Sequence, residues 1–398
     1  MEISIKVSNI KNILLIRADG IGDALNSTPT ISALRKTYPS AKISIIIKQF
    51  GADILSQNPD IDEILIYNPS KLHKSLINKV RFFSELRSKN FDTAIVLQNS
   101  SLCNFMAFVS GANIRVGRRS EPKRFSRTLT HWISLKDPKG TKHEIDRNFD
   151  LVRLINVENG SRDLVLRLSD SEKAFADDFL LRNHGSSDFR VEKSLKIPLN
   201  PPFPKGEYDM GVPFSEGEYD MGFPFSEGES EVPLASSHPL FHLVGIHPGG
   251  SSVDKLWLPE NFAEIADRLI DEFKAKIMLF YGHNEDHLAK IILSKMKNKP
   301  ILISGVSLRQ LCAFIERCSF FICNDSGPMH IASAFKIPTV AIFGSTDYVR
   351  WGPQHEKALV VRKEMDCFPC SAHKCKKNYE CTKSLPISDV WNAILGLI

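Results

Sequence analysis

No apolar run in this 398-residue chain approaches the roughly 20 residues that a membrane-spanning helix needs, so an integral membrane protein is not expected. The opening stretch MEISIKVSNIKN lacks a charged head followed by a long apolar core, so it does not read as a secretory leader. The expected location is the cytoplasm. Cysteine is scarce, with eight residues, four of them crowded between positions 367 and 381. In a reducing cytoplasm such a set is not a disulfide framework. Strong charge of one sign is missing too, since 51 Lys and Arg against 46 Asp and Glu leave a net +5. With no recognised binding motif and no basic face interleaved with aromatics, no nucleic-acid partner is expected.

What is present is length and a pattern. A chain of this size exceeds what one core ordinarily uses, so two domains are expected. The runs NILLIRA (12–18), KISIIIK (42–48), DEILIYN (62–68) and DTAIVLQN (92–99) are short, β-branched and almost continuously apolar, as suits a parallel sheet buried on both faces. Helix-like segments such as TPTISALRKTY alternate with them. The alternation returns in HLVGIHPG, KIMLFYG, SFFICND and TVAIFGS, predicting an α/β chain of two Rossmann-like, doubly wound parallel-sheet domains facing a cleft. We expect an N-terminal domain over 1–165, a connecting segment over 166–198, a C-terminal domain over 239–385 and a terminal helix over 386–398. Between the halves, GEYDMGVPFSE is repeated as GEYDMGFPFSE, and residues 199–238 read as a low-complexity disordered insertion, too poor in apolar surface to fold alone. Residues 1–155 carry 24 Lys and Arg against 14 Asp and Glu. The densest basic stretch, RVGRRSEPKRFSR (115–127), reads either as a solvated loop or as a surface for anionic headgroups or an acidic substrate.

The strongest site signal is FFICNDSGPMHIASAF. A buried strand ends there in a turn, Pro328 lies in the first turn of a helix, and Asp325 or Ser326 is placed to cap its amides. Gly327 permits close approach of a ligand to backbone N–H groups that, with the helix dipole, favour a diphosphate, and His330 falls in the same turn. A second loop, GIHPGGSSVDKLW, offers Ser251 and Lys255 for phosphate oxygens. A third, YGHNEDHLAK, offers Glu285 or Asp286 for a ribose. All three follow strands, where open α/β sheets collect ligands, which favours a nucleotide diphosphate. The N-terminal turn GIGD lacks the third glycine of a dinucleotide fingerprint. What it supplies is Asp23 at a strand end, either as a helix cap or as a reactive carboxylate. Asp60 and Asp62 match a D-x-D metal motif but precede their strand, which makes them a polar loop at the wrong end of the sheet.

Across IRADGIGDALNSTPTISALRKTYP, PGGSSVDKLW and NDSGPMHIASAFKIPTVAIFGSTD the chain resembles glycosyltransferase family 9, that of the ADP-heptose:lipopolysaccharide heptosyltransferases. The resemblance implies the two-domain GT-B fold, a donor nucleotide in the C-terminal domain and an acceptor facing the N-terminal one. It implies that Asp23 is the general base of an inverting, metal-independent transfer of heptose from ADP-heptose to a lipid A–Kdo acceptor at the inner membrane face, with no cofactor. Donor-site residues would be Ser251, Lys255, Glu285, Asp325, Ser326, Gly327 and His330. Gly22, Arg87, Lys89, Arg118 and Arg119 are candidates for the acceptor. Another nucleotide-sugar donor, or a non-catalytic nucleotide-sugar-binding module, is the alternative. Cys367, Cys370, Cys375 and Cys381, in C-x2-C-x4-C-x5-C spacing with His373 among them, could hold a structural zinc or iron-sulfur cluster, or remain free thiols with occasional disulfides. Cys103, Cys312, Cys318 and Cys323 sit in apolar contexts and are expected in the core.

Overall fold

The computed structural model describes residues 10–119, 125–134, 141–158, 160–182, 243–368, 370 and 375–397. The 199–238 repeat and His373 lie outside the described residues.

The first half opens with β1 (Asn12–Ile16), α1 (Ile21–Leu25), α2 (Thr28–Thr37), β2 (Lys42–Ile47), α3 (Gln49–Leu55) and β3 (Glu63–Ile66). It continues with α4 (Leu76–Ser88), β4 (Thr93–Val96), α5 (Ser101–Val109), β5 (Ile114–Arg119), β6 (His131–Ser134) and α6 (Glu144–Arg153). A connecting helix, α7 (Asp170–Arg182), follows. The second half runs β7 (Leu243–His247), α8 (Pro259–Phe273), β8 (Lys276–Phe280), α9 (Asp286–Lys295), β9 (Ile301–Ile303) and α10 (Leu308–Glu316). Then come β10 (Phe320–Asn324), α11 (Gly327–Ala334), β11 (Thr339–Phe343), α12 (Tyr348–Trp351), β12 (Ala358–Arg362), α13 (Glu380–Lys383) and α14 (Ile387–Leu395).

Each half is a six-stranded, all-parallel sheet, ordered β3-β2-β1-β4-β5-β6 and β12-β11-β10-β7-β8-β9. Both are doubly wound, and each reverses direction at one point, between β1 and β4 and between β7 and β10, where such sheets open a crevice for ligands. The central strands carry Ile and Leu on both faces because helices cover both; Ile13, Leu14, Leu15 and Ile16 are fully buried. The expected strands at 12–18, 42–48, 62–68 and 92–99 are all present. The basic stretch is not a single loop, because Arg115, Arg118 and Arg119 lie in β5 and Arg118 is buried.

The halves touch directly. The short helix α1 packs on α11, and one buried apolar cluster runs through Ile21, Ala24 and Leu25 into Met329 and Ile331. The segment following residue 165 is not simply a connector: α7 docks on α10 of the second half. The carboxylate of Glu172 accepts two bonds from Arg309, at 2.8 and 2.7 Å, Arg317 pairs with Asp177 at 2.5 Å, and Phe179 meets Phe314 edge-on at 4.9 Å.

Candidate active site

The loop after β1 places a carboxylate at the N-terminal switch point. Gly20 is the N-cap of α1, and Asp23 is its third helical residue, so Asp23 closes the first turn by accepting the Gly20 N–H at 3.0 Å through Oδ2. Asp23 therefore caps from inside the first turn of α1 and is not the residue that precedes the helix. Its other oxygen, Oδ1, accepts from Arg17 Nη2 at 2.5 Å, while a fifth of the side chain remains exposed. One carboxylate thus serves the helix and still reaches the cleft.

Arg17, at the end of β1, is fully buried and organises what surrounds Asp23. Its Nε binds Asp19 at 2.9 Å, Nη2 also reaches Glu144 at 3.1 Å, and Nη1 reaches Asn148 at 3.3 Å. Burial opposes the guanidinium charge, but the carboxylates of Asp19, Asp23 and Glu144 outweigh it and raise its pKa. Burial pushes Asp19 up to about 6 despite Arg17. Glu144 is buried as well, yet Arg17, Arg350, Arg118 and Arg147 hold its pKa below the ordinary value. Arg350 comes from the second half and binds Glu144 Oε2 through Nε at 2.9 Å, so this buried cluster also ties the two halves together. His143 adds a bond of 3.1 Å to the Gly352 carbonyl.

The donor-side candidates converge at the other switch point. Asn324, closing β10, accepts the Trp257 N–H at 3.2 Å and donates to the Pro248 carbonyl at 2.6 Å, locking the loop after β7 against the loop after β10. Across that junction Lys255 pairs with Asp325 at 2.7 Å. Glu285 accepts the Gly282 N–H at 2.7 Å and lies 3.4 Å from His247 Nε2; burial works against its charge, but His247 leaves its pKa lowered. A side chain at Gly249 would put Cβ 1.8 Å from Glu285 Oε1, so only glycine lets that carboxylate cross the loop. Ser251 is exposed on the same loop. Ser326 is the N-cap residue of α11, but its hydroxyl donates to the Asn324 carbonyl at 3.1 Å and meets His247 Nδ1 at 3.2 Å, so neither it nor Asp325 caps the helix as the sequence suggested. The first turn of α11, with Pro328 in it, has no side-chain cap. Its amides stay available to an anion.

The two switch points face each other through Gly22 and His330. A Cβ on Gly22 would sit 2.2 Å from His330 Cδ2 and 2.6 Å from Nε2. His330 is buried, and burial lowers its pKa despite Asp325 and Asp23 nearby, which keeps the ring neutral at pH 7.

The acceptor-side candidates divide. Arg118, at the end of β5, donates Nη1 to the Leu97 carbonyl at 3.1 Å, and its Nε and Nη2 have no hydrogen-bond partner among the described residues. Burial lowers its pKa to about 10. Arg119 lies over the Trp132 ring at 4.9 Å. Arg87 and Lys89 are not brought to the cleft: they sit at the far end of α4, where the Lys89 carbonyl accepts from Asn12 at the start of β1 and its ammonium is paired with Glu63. Helix α4 runs back from the cleft edge of the sheet to the opposite one, so its last turn cannot face the crevice. Asp60 and Asp62 serve structure, accepting from Ser32 and Arg35 at 2.5 Å each.

Cys367, Cys370, Cys375 and Cys381 line one pocket, and the Tyr379 N–H donates to Cys375 Sγ at 3.2 Å. Among the described residues no three His, Cys, Asp or Glu side chains are gathered as a metal-holding group. Cys103, Cys312, Cys318 and Cys323 are buried, as expected. Arg17, Asp19, Glu144, Arg147, Asn148 and Arg350 were not foreseen. Arg17 was visible only as a charge following four apolar residues, and the α6 residues only as an acidic start to an amphipathic helix.

With this geometry in hand, residues 214–380 match the profile of glycosyltransferase family 9 (heptosyltransferase). Over that segment the chain is similar to this family. It is 24% identical over 93% of both chains to lipopolysaccharide heptosyltransferase 3 of Escherichia coli K12. The glycosyl transferase family 9 protein of Veillonella parvula shares its fold, with a TM-score of 0.73 at 21% identity and 97% coverage of both chains. So does the E. coli heptosyltransferase WaaC, solved with ADP, with a TM-score of 0.65 at 15% identity, covering 97% of this chain and all of that one. The fold is therefore GT-B and the protein is a glycosyltransferase.

Proposed function

We propose that this glycosyltransferase moves heptose from ADP-heptose to a Kdo- or heptose-bearing lipopolysaccharide core, with inversion and with Asp23 as general base. The observation that carries the reading is the opposition of a partly exposed carboxylate at one switch point to an uncapped helix start and a Lys255–Asp325 pair at the other. The heptosyltransferases it resembles, among them a structure solved with ADP, support the donor.

Inverting transfer is an in-line displacement. A base takes the proton from the attacking acceptor hydroxyl while the nucleoside diphosphate departs from the opposite face of the sugar. Asp23 suits the first role because Arg17 and the Gly20 amide fix its orientation without enclosing it. Lys255, the free amides at Gly327 and Met329 and the α11 dipole suit the second, because they meet the charge that grows on the leaving group. Glu285, ionised and held by Gly282, is positioned to accept from ribose hydroxyls. The neutral His330 ring packs against Gly22 and so brings the donor side up to the turn that carries Asp23. Arg118, buried with two unsatisfied nitrogens, suits an acceptor carboxylate or phosphate.

The test is release of ADP from ADP-heptose by the purified chain, with and without a Kdo-bearing acceptor, set beside UDP- and GDP-sugars. Acceptor-dependent release specific to ADP-heptose is the expected result. Turnover of another nucleotide sugar in its place would overturn the donor assignment.

A further inference from the structure

The structure leaves one helix end without a protein partner. Helix α4 is anchored by Leu86, which is buried, and by Phe82 and Phe83, which pack on Tyr67 and on Phe105 of α5. Its opposite face turns Leu76, Ile77 and Val80 outward, 76%, 78% and 60% exposed, and the preceding loop adds Leu72 at 57%. Nothing among the described residues covers them. Together they form an apolar patch of roughly several hundred Å², the size at which an exposed patch signals an interaction site.

That loop is built, not slack. The Ser75 hydroxyl caps α4 by accepting the Asn78 N–H at 3.1 Å, and Asn78 donates to the Leu72 carbonyl at 2.9 Å. His73 stacks on Tyr67 at 5.0 Å and accepts the Asn68 N–H at 3.1 Å. Leu72 is therefore held outward. Around the patch stand Lys71, Lys74, Lys79 and Arg81, none ion-paired with another described residue, and residues 68–88 carry five cations against the single carboxylate of Glu85. Only the N-terminal part of the outward face is apolar. Further along it becomes Arg81, Ser84, Glu85 and Ser88.

We propose that this tip, Leu72, Leu76, Ile77 and Val80 ringed by Lys71, Lys74, Lys79 and Arg81, is the docking surface for an anionic phospholipid bilayer. Apolar side chains entering the headgroup boundary with lysines at the phosphates are the chemistry of interfacial binding. The charge suits that surface and disfavours a second copy, which would bring two cationic rings together. The location suits it as well. Residues 68–75 follow β3, and β3 is parallel to β1, so the tip stands on the same sheet edge as Asp23. An acceptor anchored in the bilayer can then present its sugars to the cleft without leaving the membrane. The proposal rests on the reading of a lipid-linked acceptor for its purpose, not for the binding itself.

The experiment is co-sedimentation of the full chain with vesicles of phosphatidylethanolamine and phosphatidylglycerol, and with phosphatidylcholine vesicles as the neutral control. Wild type should partition to the anionic vesicles and be released by salt. The L76S/I77S/V80S variant and the K71E/K74E variant should each bind at least tenfold more weakly, since each lysine near such a surface contributes about fivefold. Both should keep wild-type turnover on an acceptor stripped of its acyl chains and lose it selectively on vesicle-embedded acceptor. Equal vesicle binding by wild type and variants would overturn the proposal. So would a wild-type dimer that becomes monomeric in L76S/I77S/V80S. Vesicle binding without any turnover of the stripped acceptor would leave the docking surface standing and remove the proposed function.

Discussion

Replacing Gly22 by alanine adds one methyl group at the point where the halves meet. That carbon would lie 2.2 Å from His330 Cδ2, whereas carbon pairs rest at about 3.5–4.0 Å, so the ring or α1 must retreat by about 1.3–1.8 Å. His330 is buried among α11 neighbours and cannot swing into solvent, so the strain falls on the α1–α11 contact itself. Overpacking of this kind costs about 1–3 kcal/mol. Because the methyl group clashes only when the halves are together, the cost should fall on the closed, reactive arrangement, lowering kcat/KM by about 5- to 150-fold. Donor affinity, which depends on the loops after β7, β8 and β10, should change less than threefold by calorimetry. The clash can be isolated in a double-mutant cycle: in the His330→Ala background, Gly22→Ala should add almost nothing. A Gly22→Ala enzyme within twofold of wild type, or an equal loss in both backgrounds, would refute the steric argument.

Arg118→Ala should raise the acceptor KM about 10- to 100-fold, the loss of charge-assisted hydrogen bonds, while donor affinity measured by calorimetry stays unchanged. Glu144→Gln removes the one carboxylate that, among the described residues, Arg17 and Arg350 share, and leaves the buried Arg17 with Asp19 and Asp23 alone, so unfolding free energy in denaturant melts should fall by about 1.5–3 kcal/mol, the worth of charge-assisted hydrogen bonds. The Arg309 hydrogen bonds outweigh partial burial and hold Glu172 down at about 2, so their stabilisation is present above the ordinary Glu range and disappears as pH falls from about 4.5 toward 2. Screened by its partial exposure, this pair contributes about 1 kcal/mol; Arg309→Ala should lower Tm by about 2–4 °C at pH 7, and the gap should narrow in melts near pH 2.5 and close only below the folded pKa of about 2.

The central strands were legible because a parallel strand buried on both faces leaves a nearly continuous aliphatic run, as in ILLI or ISIII. The edges were not. Ile301–Ile303 is only three residues long, Ala358–Arg362 is half exposed, and Ile114–Arg119 carries three arginines, so none has the apolar continuity that marks a strand. The donor loops were readable because strand, small residues and helix start lie consecutively in the chain. The Arg17 cluster was not, because it joins the end of β1 to α6 and α12, and separations of more than a hundred residues leave no local pattern. Arg87 and Lys89 were misplaced for a related reason: charge composition says nothing of which end of a crossover helix faces the cleft.

The most direct test of the account is the single-turnover rate of Asp23→Asn, with ADP-heptose and acceptor saturating, beside Asp19→Asn. If Asp23 is the base, its amide should bind ADP-heptose with affinity within threefold of wild type and lose about 100-fold or more in rate, whereas Asp19→Asn should retain a measurable rate well above it. An Asp23→Asn enzyme that turns over near the wild-type rate, or an Asp19→Asn enzyme that alone loses it, would contradict the assignment.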